Sequence, residues 1–141
     1  MEIVIDAKDL IVGRFCTHVA KQALLGHKVH VVNCEQAILS GTKKDIMKKL
    51  LHRIGMGQPQ QGPYVPRMPD RFVRRTIRGM LPYKQPRGKH AFKRVMCHVG
   101  VPDDLSGKET GTVEKAKFNK LPNLKYVKIG DLCNEIGGYN A

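Results

Sequence analysis

Two runs in this chain, Val29-His30-Val31-Val32-Asn33-Cys34 and Val95-Met96-Cys97-His98-Val99, are apolar at consecutive rather than alternate positions. Successive side chains of a strand point to opposite faces, so an alternating run leaves one face wet while a continuous run needs cover on both. Such strands belong in parallel sheets clad by helices, and the intervening stretches supply the helices. Between Gly13 and Leu25, Phe15, Cys16, Val19, Ala20, Ala23 and Leu24 recur at three- and four-residue spacing, and Gly26 follows as a stop. Ile3 to Ala7 reads as a first strand and Ala37 to Leu39 as a brief apolar segment. Lys43 to Ile54 reads as a second helix, with Thr42 as cap, Asp45 in the capping-box position, and Ile46, Met47, Leu50, Leu51 and Ile54 as its buried stripe. Asp70 is expected to cap a third helix from Arg71 to Arg78, which Pro82 cannot continue. A short helix from Pro86 or Arg87 to Lys93 precedes the strand Val95 to Val99. Asp103 to Asn123 reads as a polar loop, Tyr126 to Ile129 as a further strand, and Asp131 as the cap of a last helix ending at Glu135. Strands alternating with helices over 141 residues predict one α/β domain, residues 1–141, around a mainly parallel sheet.

The charge is distributed differently from the strands. Lys and Arg number 25 against 12 acids, a net charge of +13 with His neutral. Residues 1–42 and 95–141 are each neutral, residues 43–53 carry +4, residues 54–66 carry nothing, and residues 67–94 carry +9. A charge that served solubility alone would be spread; this one is a footprint, and its natural partner is a polyanion. The uncharged stretch between its two halves belongs to a 15-residue run, Gly55 to Pro69, with four Pro and three Gly and no periodicity. A loop of that length inside a compact domain usually binds something or moves, and its place between two basic segments favours binding.

Arg71, Arg74, Arg75 and Arg78 fall at i, i+3, i+4 and i+7, a single stripe opposite Phe72, Val73 and Ile77 and free of acids. Like-charged neighbours at these spacings cost an isolated helix roughly 0.2–0.5 kcal/mol per pair, about 1–2 kcal/mol in all. An ordinary solvated face would be relieved by an interspersed Glu. Phosphate relieves it from outside, and the guanidinium fork suits phosphate oxygens. Lys43, Lys44, Lys48, Lys49 and Arg53 on the second helix, Arg67 at the end of the loop, and Lys84, Arg87, Lys89, Lys93 and Arg94 beyond Pro82 are further candidate RNA contacts. Tyr64 and Tyr83 are candidates for base stacking, or for simple packing.

Other classes are disfavoured. No run approaches the roughly 18–20 apolar residues of a spanning helix, and the opening Met1-Glu2-Ile3-Val4-Ile5-Asp6 reads as a strand rather than a secretory signal. Cys16, Cys34, Cys97 and Cys133 are scattered, with no Cys-x-x-Cys element, and read as buried free thiols; no metal or cofactor is expected. Neither a dinucleotide-binding glycine pattern nor a P-loop is present, and Cys97 and His98, adjacent in a strand, point to opposite faces, which spoils them as a catalytic pair. No enzyme is therefore expected. Zinc-finger spacing, a Gly-x-x-Gly loop of the KH type and the aromatic sheet motif of RRM domains are absent too, so backbone and shape recognition of folded RNA is favoured over base reading. A DNA-binding or regulatory protein using the same basic face is the alternative, since phosphate contacts alone do not separate DNA from RNA.

From Val73 to Pro82 the run Val-Arg-Arg-Thr-Ile-Arg-Gly-Met-Leu-Pro closely resembles the signature of the L-thirteen family of large-subunit ribosomal proteins. Asp6-Ala7 with Gly13-Arg14, Val32-Asn33-Cys34-Glu35 followed by Gly41, and Lys89 to Gly100 resemble the same family in the same order. The direct passage from Gly26 into the second strand, without the insertion of bacterial members, resembles the archaeal and eukaryotic branch. The resemblance implies a three-layer α/β/α fold with a four-stranded sheet in the order 3-2-1-4. It also implies a cytoplasmic, non-enzymatic protein that joins the large subunit early and stabilises its folded RNA beside neighbouring ribosomal proteins, with no obligate homo-oligomer. The positions that match the central motif are Arg74, Arg75, Arg78, Gly79, Met80 and Pro82.

Overall fold

The continuous apolar runs pair with one another at the centre of the molecule, a computed structural model that describes residues 1–140. Strand β1 (Glu2–Asp6) lies parallel to β2 (Lys28–Val32), with Val4 opposite His30, and β2 lies parallel to β4 (Val95–Cys97). The remaining edge of β1 is taken by a two-residue parallel strand, β5 (Thr110–Gly111). The sheet order is therefore β4-β2-β1-β5, and all its pairings are parallel. This is the four-stranded α/β arrangement expected, with the strand after the basic region on the outside of β2.

The strands differ from expectation in detail. The fourth place in the sheet belongs to Thr110–Gly111, inside the segment read as a polar loop. Tyr126–Lys128 (β6) instead pairs antiparallel with β3 (Ile38–Ser40) in a separate two-stranded sheet. Two exposed residues that owe their extended shape to main-chain bonds with β1 leave no hydrophobic pattern to read. Strand β2 also stops at Val32 rather than Cys34. Asn33 takes a left-handed conformation (φ 55°) and its amide donates to Asp6 Oδ1 at 2.9 Å, tying the ends of β1 and β2 together and turning Cys34–Gln36 into a 3-10 turn. Asn is among the few residues that tolerate this conformation.

The two faces of the sheet are covered unequally. Helices α1 (Val12–Leu24), α3 (Pro69–Gly79) and α4 (Pro86–Lys93) cover the face that carries Ile5, Val29, Val31 and Val95, and they bring Phe15, Val19, Val73, Ile77 and Ala91 into one core with them. Each such large side chain, once buried, contributes roughly 1.5–3 kcal/mol. On the other face Val4 and Val32 meet Leu105, which lies in a 3-10 turn (Asp103–Leu105), so the layer there is thin. A second cluster joins α2 (Lys43–Ile54) to α5 (Ile129–Glu135) through Leu50, Val127, Leu132 and Ile136, with Phe72 of α3 packed against both clusters. Helix α3 is thus wedged between two apolar bodies and can present only its arginine edge outward.

Helix starts were read less well than helix bodies. Pro69 occupies the first turn of α3 and Met68 is the cap, so Asp70 is an interior first-turn residue. Pro is at home there because its missing N–H has no partner at a helix start anyway. Likewise α5 begins at Ile129 after Lys128, with Asp131 inside its first turn rather than capping it. Thr42 does precede α2, but its hydroxyl bonds the Asp45 carboxylate instead of a backbone N–H. All four cysteines are buried free thiols; burial raises the Cys16 thiol above the ordinary range, and a hydrogen bond with Cys97, then burial, raises that of Cys34. No helix among the described residues is long and apolar enough to cross a membrane.

Candidate nucleic-acid interface

The amphipathic spacing of α3 buries Val73 and Ile77 and leaves Arg71 and Arg75 exposed, with Arg74 and Arg78 half-buried at the sides of the stripe. Among the described residues none of the four forms an ion pair with a carboxylate. The one acid of the helix, Asp70, is related to α5 instead: burial, and then the charge of Asp70, push the Cys133 thiol up to about 11. One carboxylate oxygen of Asp70 is buried without a hydrogen-bond partner.

The four arginines are not equivalent. Arg74 Nε donates to the Val95 carbonyl oxygen at 3.0 Å, and its guanidinium lies 4.4 Å above the centre of the Phe92 ring of α4. The Arg78 guanidinium lies 4.6 Å above the Tyr83 ring. Both are thus braced by the protein, each with a guanidinium face held against an aromatic ring. Arg71 and Arg75 have no such anchor. Part of the like-charge strain in the stripe is therefore relieved from within, by a carbonyl and two rings, and the outer pair keeps the full need for a counter-charge.

Across from this face stands the loop Gly55 to Pro69. Tyr64, Val65 and Pro66 form one wall of a cleft of about 560 Å³ whose other wall is Arg71, Arg74, Arg75, Arg78 and Phe92. Tyr64 is 66% exposed, and its hydroxyl donates to the Gln60 carbonyl oxygen at 2.5 Å. Val65, Pro66 and Arg75 also border a neighbouring trough of about 320 Å³ between α2 and α3, which Arg53 and Phe72 line. The structure thus brings Arg53, Tyr64 and the whole α3 stripe to one surface.

The loop is held at its far end. Arg67 Nη1 donates to the Ile136 carbonyl oxygen at 3.2 Å, close to the end of α5. Gly138 passes so near that a Cβ there would stand 2.2 Å from Arg67 Cβ and 2.3 Å from its carbonyl oxygen. Only a glycine permits this approach. Arg94 plays a similar part elsewhere, donating from Nη1 to the Ala23 carbonyl oxygen at 3.2 Å and so closing the last turn of α1. Arg67 and Arg94, both read as RNA contacts, each have one N–H engaged by a helix end.

The remaining sequence candidates surround this surface. Lys43 pairs with Glu135, whose hydrogen bond raises its pKa. Lys44, Lys48 and Lys49 are exposed along α2, and Lys84, Lys89 and Lys93 are exposed along the turn and α4. Arg87 lines a separate groove of about 400 Å³, against Leu24, Leu25 and Met80, and is not brought to the cleft. Tyr83, one of the two aromatic candidates, has a ring face occupied by Arg78, which favours packing; Tyr64 is exposed in the cleft wall. Close packing of α4 on the preceding turn sets this arrangement, since a Cβ at Gly88 would lie 2.0 Å from the Pro82 carbonyl oxygen. Phe92 was missed as a site residue. Its only signal is an apolar position in a basic helix, and its meeting with Arg74 depends on the order of strands and helices rather than on local sequence.

The arrangement offers fixed guanidinium groups, exposed lysines and a cleft, which together suit a phosphodiester chain and provide no nucleophile–base pair. Among the described residues no three of His, Cys, Asp and Glu come together where a metal ion could be held. Comparison with known proteins agrees with the resemblance seen in the central motif. Residues 1–104 match the family model described as ribosomal protein L13. The large ribosomal subunit protein uL13 of Methanococcoides burtonii is 45% identical over 95% of this chain and 96% of its own length. The proteins of that name from Methanosarcina barkeri and Methanococcus maripaludis are each 42% identical, over 95% and 96% of this chain and 96% and 97% of their own lengths. With strands β1, β2 and β4 and the basic helix α3 inside residues 1–104, and relatives 42–45% identical over nearly the whole chain, this chain belongs to the ribosomal protein L13 family.

Proposed function

We propose that the chain is a structural constituent of the large ribosomal subunit that holds folded large-subunit ribosomal RNA through the face built by α2, the loop, α3 and α4. One observation carries the placement: four arginines on one helix edge, unopposed by any carboxylate among the described residues, facing a cleft. In this reading Arg71, Arg75 and Arg78 grip phosphates directly. Arg74 presents its remaining N–H groups from a fixed position, Arg53 extends the grip across the trough, and the lysines of α2 and α4 add longer-range attraction. Arg67 and Arg94 serve first as braces. The rest of the α/β domain serves as the mount for this face. Membership of a family of ribosomal proteins supports a cytoplasmic, non-enzymatic role beside other subunit proteins, and early entry into assembly is what the resemblance implies.

The test is competition binding with in vitro transcribed large-subunit RNA, the same RNA unfolded, and duplex DNA. Preference for the folded RNA is expected; equal affinity for all three would overturn the ribosomal reading in favour of a general nucleic-acid binder. Changing Arg71, Arg75 and Arg78 to Ala should lower the salt dependence by up to about 0.9 in log–log slope per lost duplex-type phosphate contact. An unchanged slope would remove the interface from α3.

A further inference from the structure

We propose that the cleft between Tyr64 and α3 takes a single unpaired RNA nucleotide, its base against the Tyr64 ring and its phosphate on Arg71 and Arg75. The proposal deepens the RNA-binding reading above and rests on it. Gripping the backbone of a duplex needs only an open basic surface. Here the basic surface borders an open recess of about 560 Å³, a volume on the scale of small-molecule sites and so of one nucleotide, with Tyr64 among the residues that line it.

The opposite wall is built for an aromatic partner. Tyr64 is 66% exposed, yet it is not a loose side chain. Its hydroxyl is bound to the Gln60 carbonyl oxygen at 2.5 Å, and its ring sits on the backbone of Gly62, where a Cβ would come within 3.2 Å of it. An aromatic ring that is exposed and oriented offers a stacking platform at little entropic cost. Its polar end is engaged within its own loop, so the hydroxyl is not what the ring presents to a ligand.

The arginine wall supplies the other half of a nucleotide site. Arg74 is fixed by the Val95 carbonyl and the Phe92 ring, and a guanidinium with a preset plane can also meet a base. Arg71 and Arg75 are exposed, line the cleft and make no ion pair among the described residues, so the charge that a phosphate would answer lies beside the aromatic wall. Bases in loops and bulges of folded RNA are the ones free to be turned into such a recess.

The experiment titrates in vitro transcribed large-subunit RNA with the full chain, with Tyr64→Ala, with Tyr64→Phe, and with the double variant Arg71→Ala/Arg75→Ala, over a series of salt concentrations. Because Tyr64 is exposed, its variants should melt with the parent, which circular dichroism checks. Tyr64→Ala is expected to weaken binding about 5- to 150-fold at every salt concentration, the range for losing one base stack, with the salt slope kept. Tyr64→Phe should bind close to the parent, since the stack needs the ring. The double arginine variant should lower the slope. If Tyr64→Ala binds like the parent while the arginine variant loses slope, the nucleotide site is refuted and the RNA face stands. If neither changes binding or slope, the placement of the face itself fails and this site with it. A Tyr64→Ala effect that appears only as a lower slope also overturns the proposal, because a ring contributes no charge.

Discussion

Arg74 and Arg75 are neighbours in the chain with opposite duties. Arg74 is half-buried, bonded to the Val95 carbonyl oxygen and stacked on Phe92; Arg75 is exposed and bordered by two recesses. Removing the Arg74 side chain takes a charged donor from a carbonyl at the start of β4 and a cation from an aromatic ring. The expected loss is about 1–3 kcal/mol of folding stability for Arg74→Ala. Arg75→Ala should stay within about 0.5 kcal/mol of the parent, as exposed substitutions usually do. Thermal melting of the two variants compares them directly, and equal losses would mean that Arg74 is not a brace. The stripe was legible from spacing alone, but this division of labour was not. It is set by Phe92 and Val95, which reach Arg74 only through the packing of α4 and β4, and nothing near Arg74 in the chain marks them.

Helix α2 shows the same limit at the next scale. Its span, Lys43 to Ile54, was readable from Thr42 and the apolar spacing, yet of its twelve residues only Leu50 is buried. Ile46, Met47 and Ile54 are half-buried, and Leu51, expected in the inward stripe, is 53% exposed. The thirteen residues of α1, by contrast, bury Val12, Phe15, Cys16, Val19, Ala20 and Ala23. Periodicity shows which way a helix faces, not how much it finds to pack against. A helix resting on so little apolar surface opens at lower free energy than one set in the core. Amide exchange followed by mass spectrometry should therefore find α2 exchanging well before α1 in the free protein, and slowed when large-subunit RNA is bound. Matching protection of the two helices in the free chain would contradict this. The strands divide in a similar way: β1, β2 and β4 announced themselves by apolar runs and β6 was read as a strand, whereas β5 and the pairing of β6 with β3 depend on backbone partners that a pattern of side chains does not encode.

The whole molecule has a basic front and a thinly covered back. On the sheet face away from the helices, His30 Nδ1 lies 3.1 Å from His98 Nε2 with the rings stacked, His30 Nε2 lies 3.2 Å from Glu2, and Glu2 accepts from Lys108 at 2.8 Å. This chain of contacts links β1, β2, the residue after β4 and the segment before β5. Burial lowers the His30 pKa below its ordinary value of 6.5, outweighing the upward pull of Glu2, and His98, Lys108 and Lys28 add to the lowering. The folded protein therefore prefers His30 neutral. Its contribution to stability is fully present above the unfolded value of about 6.5 and is lost as pH falls through the lower folded value. Urea unfolding between pH 8 and pH 5 should show the parent losing more stability on acidification than His30→Gln; parallel curves would rule out the linkage. That this face is thin could not be read from apolar runs that ask for equal cover on both sides. The lopsided charge could, because it needs no folding to be counted.

Gly138 reaches further than its place near the end of the chain suggests. The tail that carries it is neutral, yet its close passage lets Arg67 fasten the loop to Ile136. A loop anchored in this way is expected to be ordered when the chain folds, not when a ligand arrives. Backbone that must be immobilised at docking loses roughly 1–2 kcal/mol per residue in configurational entropy. A larger side chain at this position, Gly138→Val for example, would move that loss into the binding step, which calorimetry would record as a less favourable entropy with the salt dependence intact. In the proposed RNA-binding role, the carboxyl end is thus expected to tune affinity through preorganisation of the loop.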